Sequence, residues 1–257
     1  MARMTSAYAM PALIFAVFSG LFVETVARQA PSGAPMPEPK SITIPRISSE
    51  VKVDGVLDEP AWQKAARASP FLKNETREAS RANTEVRLMY DGAALYLGWT
   101  IEDTDIQATF KERDSRFWEE EVVEFFVTPA ALDKYFELQW NPLGGTFDAI
   151  ISNKIGPDGR SQGIQGDWSF TASTMRYAIK VDGTVQQSDD RDVRWIAEVR
   201  IPFADLHVDP PQPGSVWRGN FYRFNRDRGR EAEQLSWSPT IWSGFHQPTR
   251  FGYLRFQ

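Results

Sequence analysis

Phe117 to Val127 (FWEEEVVEFFV) gathers the side chains of this sequence best suited to chemistry: an indole, three consecutive carboxylates, and a fourth, Glu124, inside an apolar run. The apolar half reads as a strand buried on at least one face, where a carboxylate is costly unless something partners it. Trp118 stands just ahead of that strand, beside Glu119, Glu120 and Glu121, where a loop would present it. An aromatic ring flanked by hydrogen-bond acceptors suits flat, hydroxyl-rich ligands, the ring covering the apolar sugar face and carboxylates taking the hydroxyls. A core tryptophan beside an acidic edge is the competing reading of the same residues.

Carboxylates also hydrolyse glycosides, when two lie about 5–5.5 Å apart and one holds its proton. Glu119, Glu120, Glu121 and Glu124 supply candidates, but neighbours on one strand point to opposite faces, so consecutive acids build such a pair poorly. A haem-binding sandwich domain of a redox system would draw on His207, His246, Met89 or Met175, each of which also reads as packing or as a solvated strand exit. Turn-placed oxygen donors, Asp103 with Asp105 and separately Asp54, Asp58 and Glu59, are weak calcium candidates that also read as caps. A structural envelope adaptor is a further alternative; burial of Trp118 would favour it and exposure in a cleft would oppose it.

The elements that must position these groups read as strands. Thr84–Tyr90 alternates Val86, Leu88 and Tyr90 against polar positions; Asp91-Gly92 then turns the chain into Leu95, Leu97, Trp99 and Ile101, which makes a hairpin. Further strands are expected over Val122–Thr128, Tyr135–Asn141, Thr146–Asn153, Thr174–Asp182, Trp195–Ile201, Trp217–Arg226 and Phe251–Phe256. Gly156 to Asp167, with four glycines, reads as a mobile surface loop. One short helix is expected after Val53-Asp54-Gly55, with Asp58 as cap and Pro60 in its first turn. Many short strands and little helix predict an all-β fold, an antiparallel β-sandwich of jelly-roll type with one short helix near its start. Trp62, Trp99, Trp195 and Trp217 are assigned to the core.

Four segments in order resemble the family 9 carbohydrate-binding modules and their wider relatives: Val53–Trp62, the hairpin Val86–Leu97, Trp118–Phe126, and Trp237-Ser238-Pro239 followed by Phe245–Gly252. The resemblance implies a β-sandwich without catalytic residues that holds a saccharide between two aromatic planes, with structural calcium common. It assigns Trp118 to the first plane and Glu124 to a hydrogen-bonding carboxylate; beside them Glu121 is expected to accept sugar hydroxyls and His246 to donate. At the second plane, normally tryptophan, this chain has Phe245, with Trp242 three residues earlier. Where such modules can place a sugar-contacting arginine, this chain has Glu137.

Six residues of straight strand would separate Trp118 from Glu124 by roughly 20 Å. A shared site therefore requires Phe117 to Glu120 to be a loop folded back over the sheet.

The first 27 residues carry an early positive charge, an apolar stretch from Ala9 to Val23 and a small-residue site at Thr25-Val26-Ala27, the pattern of a cleaved signal peptide. Residues 28–40 are a proline-rich linker and 41–257 the binding domain, roughly 215 residues and one core. The chain has no cysteine and a net charge of −5 without a basic cluster, which makes nucleic acid and anionic lipid poor partners. The expected setting is periplasmic or extracellular in a bacterium, without a stable membrane anchor. A saccharide is the expected partner, serving polysaccharide breakdown alongside a glycoside hydrolase.

Overall fold

The structure, a computed structural model, describes residues 36–187 and 189–257; the expected signal peptide and most of the linker lie outside them. Residues 38–257 form one compact unit. Strand content is 42% and helix content 7%, so the all-β expectation holds.

Among the described residues, fourteen strands build two sheets: β1 (Ser41–Ile44), β2 (Ala66–Ala68), β3 (Leu72–Lys73), β4 (Thr84–Tyr90), β5 (Ala94–Glu102), β6 (Val122–Thr128), β7 (Lys134–Trp140), β8 (Thr146–Ile155), β9 (Ser161–Asp167), β10 (Arg176–Asp182), β11 (Arg194–Pro202), β12 (Val216–Asn225), β13 (Glu233–Ser236) and β14 (Gly252–Phe256). The larger sheet runs β1-β14-β12-β6-β7-β8-β9, with β13 pairing both β12 and β3; the smaller runs β10-β11-β5-β4-β2. All pairings between named strands are antiparallel except β1 with β14, which is parallel.

Period-two alternation decides which residues meet. On β6, Val123, Phe125 and Val127 point inward and join Trp99, Trp195, Leu97, Val199, Phe221 and Trp237 in the core between the sheets. Phe125 and Phe221 stack there with centroids 4.9 Å apart. The other parity, Val122, Glu124 and Phe126, faces outward, where Phe117, Tyr135, Phe147, Ile151, Tyr222, Phe245 and Phe251 form a second apolar layer. That outer layer on the larger sheet is the foundation of the site described below.

The short helix α1 (Pro60–Lys64) covers the outer face of the smaller sheet. Its Trp62 lies so close over Gly98 that a Cβ there would come within 2.9 Å of the indole. Glu198 ties the preceding turn to the sheet, accepting from Trp62 Nε1 (3.1 Å) and from the Asp54 and Gly55 amides (2.8 and 2.9 Å). The four tryptophans assigned to the core are buried.

Three local expectations are corrected. Glu59, not Asp58, occupies the N-cap position, and no side chain caps the helix, because Glu59 reaches back to the Lys52 amide instead (3.0 Å). The segment from Gly156 to Asp167 is not a loop throughout: Ser161–Asp167 is the edge strand β9, exposed along most of its length and hence without the apolar alternation that marks the others. The strand expected over Thr174–Asp182 begins at Arg176, since Thr174 is held outside it by Asp205, which accepts from its amide (3.0 Å) and hydroxyl (2.9 Å).

Candidate functional site

On the outer face of the larger sheet a cavity of about 410 Å³ opens over β6, β7 and β8, a size within the range of small-molecule pockets. Its floor is polar and its walls are aromatic. β6 contributes Glu124, opposite Gln139 of β7, and β7 also contributes Glu137, opposite Phe126.

The first wall forms where the chain leaves strand geometry. Phe117–Glu119 is a single 3-10 turn that folds Trp118 back over the sheet, as a shared site with Glu124 requires. Glu120 anchors the turn by accepting from the Phe110 amide (3.1 Å) and from Thr109, and Arg226 Nη2 donates to the Trp118 carbonyl (2.7 Å). Phe117 fills the space beneath, close enough to Gly145 that a Cβ there would come within 2.6 Å of its ring. Trp118 is half-buried, edge-on to Phe147 (6.0 Å) and to Trp168 (6.3 Å).

Trp168 is a wall residue that sequence reasoning missed. It follows edge strand β9, where the Asp167 carboxylate accepts from the Ser169 amide (3.0 Å) and hydroxyl (2.6 Å), a local turn that projects the indole. A Cβ on Gly166 would come within 2.5 Å of its ring, so only glycine permits this approach. Trp168 is 51% exposed, unusual for so large an apolar ring. The Trp-Gly spacing after a polar, glycine-bearing segment is the trace it leaves in the sequence.

The opposite wall is Phe245, stacked on Tyr222 (4.2 Å, 15°) with Phe224 beside it (4.9 Å). Its loop is knit by buried Asn74, whose amide donates to Thr240 Oγ1 (2.7 Å), Trp242 O (3.2 Å) and Gly244 O (3.0 Å). Gly244 takes the left-handed conformation this turn needs (φ +74°). Trp242 faces elsewhere, under the Arg160 guanidinium 5.0 Å from its ring centre, and does not line the cavity.

His246 completes the rim. Tyr135 OH and His246 Nδ1 are 2.8 Å apart, while Asn153 Nδ2 donates to the His246 carbonyl (2.9 Å). Burial raises the Tyr135 pKa, so the phenol keeps its proton, and because its oxygen already accepts from Asn153 Nδ2 (3.3 Å) the hydroxyl is assigned as donor to Nδ1. That network assigns the imidazole hydrogen to Nε2, directed toward Glu137 Oε2 at 4.0 Å. Desolvation lowers His246 to about 4, so it is neutral at physiological pH and that approach is not an ion pair.

The two floor carboxylates are 2% and 5% exposed. Burial, and for Glu124 also the charge of Glu137, drives both pKa values upward. Gln139 Nε2 donates to Glu137 Oε1 (2.6 Å), and its own Oε1 is buried without a partner. Among the described residues, nothing donates a hydrogen bond to Glu124.

The structure thus brings Trp118, Glu124, Phe245 and His246 to one cavity and adds Trp168, Phe147, Glu137 and Gln139. It does not bring Glu121 or Trp242 there. Glu121, three residues before Glu124, has the opposite parity and lies fully buried against Arg223 (2.8 Å). Burial pushes Glu121 up to about 8 although Arg223 pulls the other way.

A larger, shallower hollow of about 770 Å³ lies over the far ends of β7, β8 and β9; it holds Asp133, Lys134 and Lys154 and no tryptophan, so the convergent chemistry is in the smaller cavity.

Asp103 and Asp105 do not fit a calcium ion. Arg223 Nη2 donates to Asp103 Oδ2 (2.7 Å), the Asp105 amide to Asp103 Oδ1 (2.8 Å), and the Arg228 amide to Asp105 Oδ2 (2.6 Å). Among the described residues no group of three or more His, Asp or Glu side chains could hold a metal. Met89 packs in the Trp62 cluster, Met175 lies against the main core, and His207 is an exposed left-handed residue (φ 54°).

Comparison with known proteins gives a consistent result. The model of carbohydrate-binding family 9 matches residues 74–256. A relative from Arthroderma benhamiae, named as an extracellular protein, is 27% identical over 180 residues, covering 67% of this chain and 78% of its own length. A candidate carbohydrate-binding protein from Bacteroides uniformis superposes with a TM-score of 0.66 at 20% identity, over 86% of this chain and 100% of that one. A family 9 module from Caldicellulosiruptor kristjanssonii in complex with cellotriose gives 0.55 at 17% identity, over 84% and 93%. The same description in complex with glucose gives 0.53 at 16%, over 84% and 95%. At these identities the structural likeness is one of fold.

Proposed function

Because the chain belongs to carbohydrate-binding family 9, whose function is non-catalytic carbohydrate binding, we propose that the cavity over β6–β8 is where the saccharide sits. The observation that carries this reading is the opposition of Trp118 and Trp168 on one side to Phe245 on the other, above a floor of Glu124, Glu137 and Gln139. Aromatic faces cover the apolar faces of a pyranose, and the floor acceptors take its hydroxyls. Phe245 offers less area than an indole, and its Tyr222 backing fixes the ring in place. Trp168, packed against Trp118 and Phe147, enlarges the first wall. The cellotriose and glucose complexes of the Caldicellulosiruptor module support a glucan-type chain end as one ligand to test.

We further propose that the protein is exported, on the strength of its leader pattern and of the relative named as extracellular, and that it serves a polysaccharide-degrading enzyme. A periplasmic or secreted bacterial setting belongs to this proposal.

Titration calorimetry on Trp118→Ala tests the site. Stacking is worth about 1–3 kcal/mol by analogy with base–aromatic contacts, so cello-oligosaccharide affinity should fall roughly tenfold to a hundredfold. The melting temperature should move little, since Trp118 is half-buried and packs by its edge. A large drop in melting temperature with unchanged affinity would make Trp118 a packing residue and remove the site.

A further inference from the structure

We propose that the saccharide preferred by this cavity carries a protonated amine, an amino sugar whose ammonium sits between Glu124 and Glu137. This inference rests on the cavity being the sugar site and specifies what kind of sugar it takes.

The argument begins with a count of donors and acceptors. Glu124 offers carboxylate oxygens to which no described residue donates. Glu137 spends Oε1 on Gln139 and leaves Oε2 with only His246 at 4.0 Å. Gln139 spends one of its two amide hydrogens on Glu137 and leaves one donor beside a buried Oε1 without a partner. The floor therefore offers more acceptors than donors, and a buried acceptor left unpaired is destabilising, more so when charged. A ligand that fits it must bring donors.

Charge narrows the class. No lysine or arginine lines the cavity. The nearby guanidiniums are engaged: Arg226 with the Trp118 carbonyl and the Phe224 ring, Arg223 with Asp103 and Glu121 on the opposite face of β6 and β12. From the elements packed against the pair come Tyr135 on β7, Tyr222 on β12 and His246 on the rim, all neutral at physiological pH. Two adjacent buried carboxylates thus lack a cation. A neutral sugar can donate hydroxyls to them but brings no charge, so the pair, its pKa values raised by burial, keeps a proton beside it. An ammonium brings three N–H donors and the missing charge, and charge-assisted hydrogen bonds are roughly twice as strong as neutral ones. The indoles of Trp118 and Trp168 add a cation-attracting wall. An N-acetylated sugar would bring one N–H and a carbonyl acceptor facing acceptors, and a uronic acid would be repelled.

The test compares three β-1,4-linked disaccharides that differ at the second carbon: cellobiose, fully deacetylated chitobiose and N,N′-diacetylchitobiose, titrated into the full chain at about pH 7, where an ammonium can displace the proton that the floor pair retains. The deacetylated sugar should bind about tenfold tighter than cellobiose, and the acetylated one more weakly than either. That advantage should shrink as pH falls below about 7, where the floor pair with its raised pKa values holds its protons more firmly, and Glu137→Gln, with a parallel melt to establish folding, should reduce the ratio to below about threefold. Cellobiose binding as tightly as the deacetylated sugar overturns the inference and leaves the site intact. No binding by any of the three overturns the site itself. Loss of the amino-sugar advantage in calcium chloride but not in sodium chloride of equal ionic strength would make the pair a metal ligand and also overturn the inference.

Discussion

Glu121 and Glu124 stand three residues apart and lie on opposite faces of one sheet, each in a pair of buried carboxylates, and the two pairs are treated differently. On the inner side Glu121 and Asp103 share the fully buried Arg223, whose guanidinium reaches them at 2.8 and 2.7 Å and also donates to Thr84 Oγ1 (3.2 Å) and the Glu102 carbonyl (2.9 Å). On the outer side Glu124 and Glu137 share no cation and open into an aromatic cavity. The first arrangement satisfies its charges within the fold and joins β12 to the end of β5. The second leaves its charges for a ligand. A buried carboxylate is thus not by itself a sign of function; the absence of an internal partner is what distinguishes the two.

Removing the inner cation should give the largest effect. Arg223→Met leaves two buried carboxylates uncompensated, which typically costs about 3–5 kcal/mol. For a domain of this size that is a fall in melting temperature on the order of 10 °C. A thermal melt with a loss below about 1 kcal/mol would show that the inner trio is no more a structural unit than the outer pair, and the contrast would collapse.

How far the sequence carried this contrast is instructive. The β6 segment was legible because its aromatics and valines alternate over a run bounded by turns, and Trp118 and Glu124 fell out of that run together with the required fold-back. Assigning Glu121 to the same site was wrong in a way that period-two geometry exposes: once β6 is a strand, residues 121 and 124 cannot share a face. What the sequence could not supply was the partner, since Arg223 is 102 residues away and no local pattern marks which acid it will meet. Trp168 was lost for the opposite reason. It sits beside an edge strand of polar and glycine residues, where burial, the cause of readable alternation, is missing. Trp242 and Phe245 were separable only by the loop that Asn74 ties from more than 160 residues away.

The outer pair should respond to pH in the sense fixed by its raised pKa values. Burial lifts Glu124 and Glu137 above their unfolded values, so the folded state holds more protons than the unfolded one across the intervening range. Their contribution is present below the unfolded value, about 4.3, and is lost as pH rises through the folded values. Glu124→Gln removes one charge and relieves its neighbour. The variant should match the parent near about pH 4 and exceed it by about 1–3 kcal/mol near about pH 8. Melts across that range check the sign. A variant less stable than its parent at the alkaline end would mean that Glu124 has a cationic partner in the fold, as Glu121 does.

Calcium should produce the smallest effect, and it addresses both pairs at once. An extracellular calcium site with a dissociation constant of about 0.1–1 mM would stabilise the fold by about 1.4–2.7 kcal/mol at about 10 mM ion. That corresponds to a rise in melting temperature of roughly 3–10 °C. On the inner side Arg223 occupies the position a cation would take between Asp103 and Glu121, and the remaining Asp103 oxygen is bonded to the Asp105 amide. On the outer side two carboxylates and a neutral imidazole provide fewer than the six to eight oxygen ligands that calcium prefers. The melting temperature should therefore move by less than about 1 °C on adding calcium or a chelator, a shift worth less than about 0.5 kcal/mol. A rise of several degrees that persists in Glu124→Gln would assign the ion elsewhere on the chain and leave the comparison standing. A rise abolished by that substitution would give the outer pair an inorganic cation of its own, and the two faces of β6 would then differ only in which cation they hold.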